Sequence, residues 1–218
     1  MHDLGKFEKL GELWIRILNE LYTNGKNEIY TDNPGEEYEV KELMGLTAEI
    51  KDAVLPDDII ERYKVQEEYD WMVRNFTVQE EVEKLNNQNS YASRLYSYMG
   101  KKDQVKWLIE KLKQNPKTRS ATLTMFEPLT DEWYIPCVSL LDFQEENGKL
   151  NMTAYCRALD FGCKAYINLV MLWIILNNIS KDVDMPCGKL VLVIKSAHYY
   201  LRDKDKVENI LKLEKLLD

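Results

Sequence analysis

A single α+β domain, a mixed β-sheet packed by helices with one buried central helix, is the fold that residues 1–218 predict. Three observations carry this expectation. Apolar residues at helical spacing dominate the first half of the chain, and β-prone runs fill the second. Asn147-Gly148 separates two such runs. Both central residues of a type I′ turn need positive φ, so this dipeptide is the strongest short-range hairpin signal. Residues 166–179 are apolar almost all round, which marks a helix buried on every side.

The elements follow in order. Leu10, Trp14, Ile17, Leu18 and Leu21 share one helical face and Gly25 stops the run, so residues 4–23 read as an amphipathic helix. Residues 26–55 are mixed, with a turn at Pro34-Gly35 and a short strand at Tyr38-Glu39-Val40. Pro56-Asp57-Asp58 opens a helix over 57–74, and the polar stretch 78–90 reads as a short helix and a loop. Val105, Leu108, Ile109 and Leu112 set a helix over 102–113. Asn115-Pro116 ends it, because the residue before a proline is pushed out of the helical region. Residues 121–126 alternate as a strand, and 137–144 and 149–157 are the arms of the hairpin. A buried strand over 189–200 follows the Pro186/Gly188 turn, and Val207, Ile210, Leu211 and Leu217 set a short helix over 205–217. Helices thus come mainly first and the sheet second.

Composition narrows the function. Hydrophobic residues at 45% and charged residues at 30% exclude a disordered chain. The net charge of −8 makes a poor sequence-independent nucleic-acid binder, since neutralising phosphates needs a Lys/Arg excess. Cys137, Cys156, Cys163 and Cys187 are too few for a disulfide scaffold and show neither a CxxC pair nor His at zinc spacing. Free thiols, a reducing compartment and no metal are therefore expected. The N-terminus lacks an apolar signal-peptide core, and the apolar run 169–176 falls far short of the roughly 20 residues that span a bilayer. The expectation is a cytoplasmic protein with no membrane and no nucleic-acid partner.

Several residues are candidates for chemistry. Cys137 stands at the mouth of a strand and Arg157 in its partner strand; a nearby cation lowers a thiol pKa from about 8.5 and makes a nucleophile. An inert core Cys and an Arg paired with a structural carboxylate are the plain alternatives. His198 and Tyr200 share a strand face, either as a structural pair or as a hydroxyl-binding pair. Asn168 begins the most apolar helix and must be hydrogen-bonded there, as a helix brace or as a ligand reader. Asp160-Phe161-Gly162 spells a kinase triplet, but no Gly-rich loop or catalytic loop accompanies it. Glu67-Glu68 has no partner His and reads as a solvated helix face.

Taken as an ordered set, these residues resemble the folate-dependent thymidylate synthase family, and most the shorter archaeal-type members. The set is Pro136-Cys137, Asp142-Phe143, Gly148-Lys149-Leu150, Arg157, Asp160, Asn168 and Ala197-His198-Tyr199-Tyr200. Twenty residues separate Cys137 from Arg157, three more reach Asp160 and eight more Asn168. Upstream, Tyr91-Ala92-Ser93-Arg94-Leu95 is similar to the family's Tyr-Gly motif. Asp103-Gln104 and Asn115-Pro116-Lys117-Thr118-Arg119 are similar to its helix and phosphate arginine. The resemblance covers roughly residues 90–203.

The resemblance implies the thymidylate synthase fold and transfer of a one-carbon unit from 5,10-methylene-tetrahydrofolate, or a related pterin, to C5 of a uracil nucleotide such as dUMP. Cys137 would be the nucleophile at C6, and Arg157 would bind phosphate beside the thiolate. Arg119 would reach the same phosphate across a homodimer interface. Asp160 and Asn168 would read the pyrimidine, His198 and Tyr200 the sugar hydroxyl, and Tyr91 would assist proton transfer. C5-hydroxymethylation and a non-catalytic nucleotide-binding homologue are the alternatives. Ser120, Ala158, Val138 and Lys164 depart from the family pattern, and residues 25–50 hold no Arg-Gly segment like the family's first phosphate loop. With 18 residues beyond Tyr200, the nucleotide half of the site is expected to be better retained than the folate half.

Overall fold

The computed structural model describes residues 2–33, 35–132 and 134–217. The expected mixed sheet and buried helix are both present. One seven-stranded sheet contains β1 (His2–Phe7), β2 (Lys26–Asn33), β3 (Glu36–Lys51), β6 (Thr122–Thr124), β7 (Val138–Glu146), β8 (Lys149–Asp160) and β9 (Cys187–Tyr200). Its order is β1-β3-β9-β8-β7-β6, with β2 paired to the outer half of β3. The predicted hairpin joins β7 to β8, with φ of 54° at Asn147 and 77° at Gly148, the two positive values a type I′ turn demands.

Strands β8 and β9 run parallel, so the chain between them must cross back over the sheet. That crossover is α6 (Ala165–Asp182), the apolar helix the sequence marks. Its Leu169, Leu172 and Leu176 are completely buried. No helix is long and apolar enough to cross a membrane among the described residues. Helix α1 (Leu10–Asn24) packs beside it, and the Trp14 indole N–H donates to the Phe161 carbonyl at 2.9 Å. That bond pins the 161–164 turn between β8 and α6, where the site begins.

Four expectations are corrected. Residues 2–7 are strand β1, parallel to β3, rather than the start of α1: Lys6 and Glu8 interrupt the helical stripe, and pairing with residues 46–50 satisfies the backbone. The sheet is not confined to the second half, because β3 is a sixteen-residue central strand. Its Leu46, Ala48 and Ile50 alternate with Thr47 and Glu49, but Gly45 hides that run from the outer half of the strand. The helix expected over 57–74 is two, α2 (Asp58–Tyr63) and α3 (Gln66–Thr77), parted at Lys64 and Val65 with extended backbone. Asp57 caps α2, accepting from Ile59 and Ile60 N–H, and also accepts from Gly11 N–H at 2.9 Å. The stretch 78–90 holds two tiny strands, β4 (Glu81–Val82) and β5 (Gln88–Asn89), around a 3₁₀ turn. In the expected turn at Pro34-Gly35, Pro34 lies outside the described residues.

Helices α4 (Tyr91–Tyr96), α5 (Gln104–Gln114) and α7 (Lys204–Leu213) complete the chain. A break in strand alternation runs across the sheet and shapes the site. The inward apolar set is even-numbered up to Ile194 in β9 and Cys156 in β8, then odd at Ala197, Tyr199 and Leu159. The matching point in β3 is Gly45, at φ 74°, and β7 shifts register between Val138 and Leu140.

Candidate active site

The break places Arg157 and Asp160, three apart, on the same side of the sheet, where strict period-two alternation would oppose them. Beyond it opens a cavity of about 790 Å³. Seven of the eight residues singled out from the sequence line it: Tyr91, Cys137, Arg157, Asp160, Asn168, His198 and Tyr200. Arg119 does not. It is exposed, in the connection between α5 and the edge strand β6.

Cys137 is partly exposed at the entry to β7, and its carbonyl accepts from Arg157 N–H at 2.7 Å. The Arg157 guanidinium donates through Nη2 to the Ile135 carbonyl at 3.0 Å, while its buried Nε has no partner among the described residues. Burial raises the Cys137 thiol above its ordinary pKa, with Arg157 and then Lys164 pulling it down. The cation expected from the sequence is therefore present, but desolvation outweighs it.

Tyr91 is the first residue of α4, buried and stacked on Phe76 at 4.4 Å. Its phenol oxygen accepts from Val138 N–H at 3.0 Å, so its own proton remains to be donated. Desolvation holds its pKa well above the ordinary phenol value. Asn168 donates from Nδ2 to the Lys164 carbonyl at 3.1 Å, and its Oδ1 is buried without a partner. It is thus a helix brace on one side and a free acceptor on the other.

The His198 ring meets Tyr200 edge-on at 5.5 Å, and its Nδ1 lies 3.4 Å from Ser196 Oγ. Ser196 in turn donates to Glu42, whose other oxygen accepts from Tyr30 at 2.7 Å.

Asp160 sits at the end of β8, its Oδ1 accepting from Gly162 N–H at 3.1 Å. Burial first, and Asp203 second, raise its carboxyl to about 7, against the pull of Lys164. A carboxyl whose folded pKa is raised costs nothing below its unfolded value near 4, and costs most once the pH has passed through 7. Asp160→Asn removes that cost. Its melting temperature should match the parent near pH 4 and exceed it by roughly 3–6 °C at pH 8, about 1–2 kcal/mol after solvent screening. A gain that does not change with pH would count against an ionising Asp160.

The nucleophile candidate, the guanidinium, the amide and the His-Tyr pair thus meet in one place from β7, β8, α6 and β9, and a family comparison decides what that means. The thymidylate synthase family model matches residues 37–216. The chain belongs to the thymidylate synthase family. A Methanosarcina barkeri protein named "Putative thymidylate synthase" is 38% identical over 125 residues, 56% of this chain and 58% of that relative. A protein of the same name from Methanococcoides burtonii is 30% identical over 179 residues, 80% of each chain. A Paramecium tetraurelia bifunctional dihydrofolate reductase-thymidylate synthase is 32% identical over 100 residues, 45% of this chain and 22% of that one. The archaeal names agree with the archaeal-type resemblance. The first relatives are thus spanned over somewhat more than half their length.

The cavity of this thymidylate synthase family member also holds residues that sequence reasoning passes over. Glu68 was expected on a solvated face, yet it lines the cavity with a buried Oε2 that lacks a partner. Its signal was the i, i+3 spacing to Trp71, another lining residue, which puts both on one side of α3. Glu42, Tyr134 and Lys195 also line the wall. Glu42 and Ser196 are brought together by the β3–β9 pairing, which no local pattern announces.

Proposed function

We propose that this protein transfers a one-carbon unit to C5 of a uracil nucleotide such as dUMP, through a covalent Cys137 adduct at C6. The observation that carries the reading is the convergence of Cys137, Arg157, Asn168, His198 and Tyr200 on one cavity in a member of this family. The Cys137 thiolate adds to C6, and the ring π-electrons move to C5 and the 4-carbonyl. C5 is then a carbon nucleophile. Once the new C5–C bond has formed, the C5 proton leaves, the one-carbon unit would part from its carrier nitrogen as hydride or water completes it, and re-forming the C5–C6 double bond expels the thiolate. Asn168 Oδ1 accepts from the ring N3–H, His198 and Tyr200 hold the sugar hydroxyl, and Asp160 borders the base. Tyr91, with a phenol proton to donate, and Glu68, whose carboxylate borders the cavity, would serve the proton transfers.

Trp71, Met72 and Leu85 give the cavity an apolar wall suited to a flat pterin, and the Glu68 carboxylate can meet its polar edge. The Paramecium relative's name, which joins the activity to a dihydrofolate reductase, supports a folate co-substrate. Bound there, 5,10-methylene-tetrahydrofolate supplies the one-carbon unit and, in reductive methylation, the hydride. Tritium release from C5-labelled dUMP, with the product identified, tests the reading. Release that depends on methylene-tetrahydrofolate and yields thymidylate is expected. A hydroxymethyl product would move the assignment to the hydroxymethylase, and no release would leave a nucleotide-binding homologue.

The same reading treats the chain as one domain acting as a homodimer that packs sheet on sheet. The sheet face away from α1 and α6 is partly exposed at Val191, Val193 and Leu140, with Met44 at 56% and Tyr155 at 39%. A β-face with this much apolar surface needs cover. Arg119, outside its own cavity, is then free to serve a partner's. Light scattering at micromolar concentration should give a dimer; a monomer would remove Arg119 from the site.

A further inference from the structure

One row of residues crosses four adjacent strands at the break in alternation. Arg157 N–H bonds the Cys137 carbonyl. Arg157 and Lys195 face each other between the pairs Cys156–Ile194 and Ala158–Ser196. Lys195 and Gly45 do so between Met44–Ser196 and Leu46–Ile194. The row therefore reads Cys137, Arg157, Lys195, Gly45, and its first three members line the cavity. Like charges on facing strand positions repel and lower sheet stability. Here two cations stand side by side, and among the described residues neither makes an ion pair. The nearby Glu42 carboxylate is taken by Ser196 and Tyr30. Two other cavity cations have aromatic partners: Lys164 lies 5.2 Å from the Trp71 ring and Arg202 4.4 Å from that of Tyr200. Among the described residues Arg157 and Lys195 have no such partner, and the buried Arg157 Nε has no hydrogen-bond partner.

We infer that Lys195 is a specificity-determining residue: with Arg157 it forms a two-cation seat, within one chain, for the phosphomonoester of the ligand. Two fixed positive charges match a phosphate carrying close to two negative ones. Gly45, next in the row, adds no side chain of its own. Neighbouring strands lie about 4.8 Å apart, so Lys195 stands roughly 10 Å across the sheet from the Cys137 strand. A nucleotide whose base lies over Cys137 can reach that far with its phosphate. The seat selects a nucleotide over the corresponding nucleoside, and it offsets the Ser120 and missing Arg-Gly departures with a cation from β9.

This inference rests on the proposed uracil-nucleotide reading, and the experiment separates the two. Isothermal titration of dUMP and of deoxyuridine is made with the full chain, Lys195→Met and Lys195→Arg. Lys195 is exposed, and unchanged melting temperatures check that the variants fold. Lys195→Met should weaken dUMP binding about tenfold or more, leave deoxyuridine affinity unchanged and flatten the salt dependence, and Lys195→Arg should restore binding. Equal dUMP affinity in parent and Lys195→Met would overturn the role of Lys195 and leave the uracil reading intact. If the parent binds neither uracil ligand, inorganic phosphate decides. Stabilisation of the parent by phosphate, lost in Lys195→Met, would keep the seat while the uracil reading falls, and no stabilisation would end both.

Discussion

Cys137→Ala is expected to abolish tritium release from C5-labelled dUMP, by at least about 10⁴-fold, while dUMP still binds. Of the four thiols, Cys137 is the one beside Arg157 in the cavity, and Cys163, which also lines the cavity, is the alternative this variant tests. Cys156 is completely buried on the opposite side of β8, Cys163 is pushed up to about 12 by burial and by Glu68, and Cys187 lies at the far end of β9. Binding should survive because, in the proposed reading, Arg157, Asn168, His198 and Tyr200 would hold the nucleotide through other atoms. The raised thiol pKa adds a second readout. Iodoacetamide labelling of Cys137 should be slow at neutral pH and accelerate as the pH is raised, since the thiolate reacts. Saturating dUMP should protect Cys137 and leave the other thiols unaffected. Full tritium release by Cys137→Ala, or labelling that ignores dUMP, would make Cys137 a core residue.

Arg94→Met should cost about 3–5 kcal/mol of stability, a fall of roughly 6–20 °C in melting temperature. Arg94 is only 1% exposed. Its guanidinium donates to both oxygens of Asp131, at 2.6 and 2.7 Å, to the Met125 carbonyl at 2.7 Å and to the Asn89 carbonyl at 2.9 Å. Glu127 lies 3.9 Å away and is as deeply buried. Removing this cation leaves two buried carboxylates without their counter-charge, the costly way to break a buried pair. These bonds also tie α4, which carries Tyr91, to the 125–131 segment that leads towards Cys137, so activity should fall with stability. A loss under about 1 kcal/mol would mean that the cluster is open to water.

The local signals that read correctly were those in which one short stretch carries its own physics. Asn147-Gly148 needs positive φ at two successive residues, and only a turn uses that. Residues 166–179 are too apolar to face water on any side. Asn115-Pro116 cannot continue a helix. Residues 2–7 and 26–51 misled because their structure comes from partners: β1 exists through its pairing with β3, and β3 through its pairing with β9. Glu68 misled for a related reason. A carboxylate on a polar helix looks solvated until another element packs over it, and here the cavity wall does so.

The sequence alone determined the residue types and their order: a Cys at the mouth of one strand, an Arg twenty residues on in the next, an amide at the head of the apolar helix, and a His-Tyr pair two apart. Spacing along a single strand or helix obeys period two or 3.6, so those pairings were legible. Only the tertiary structure decided which faces meet. The break in alternation turned Arg157 and Asp160 to one side, and the register of β8 on β9 set Lys195 beside Arg157. The β3–β9 pairing brought Glu42 to Ser196. Burial then decided charge, lifting the Asp160 carboxyl to about 7 and the Cys137 thiol above its ordinary value despite a neighbouring cation. Desolvation depends on what packs around a group in three dimensions, and no window of neighbouring residues contains that information.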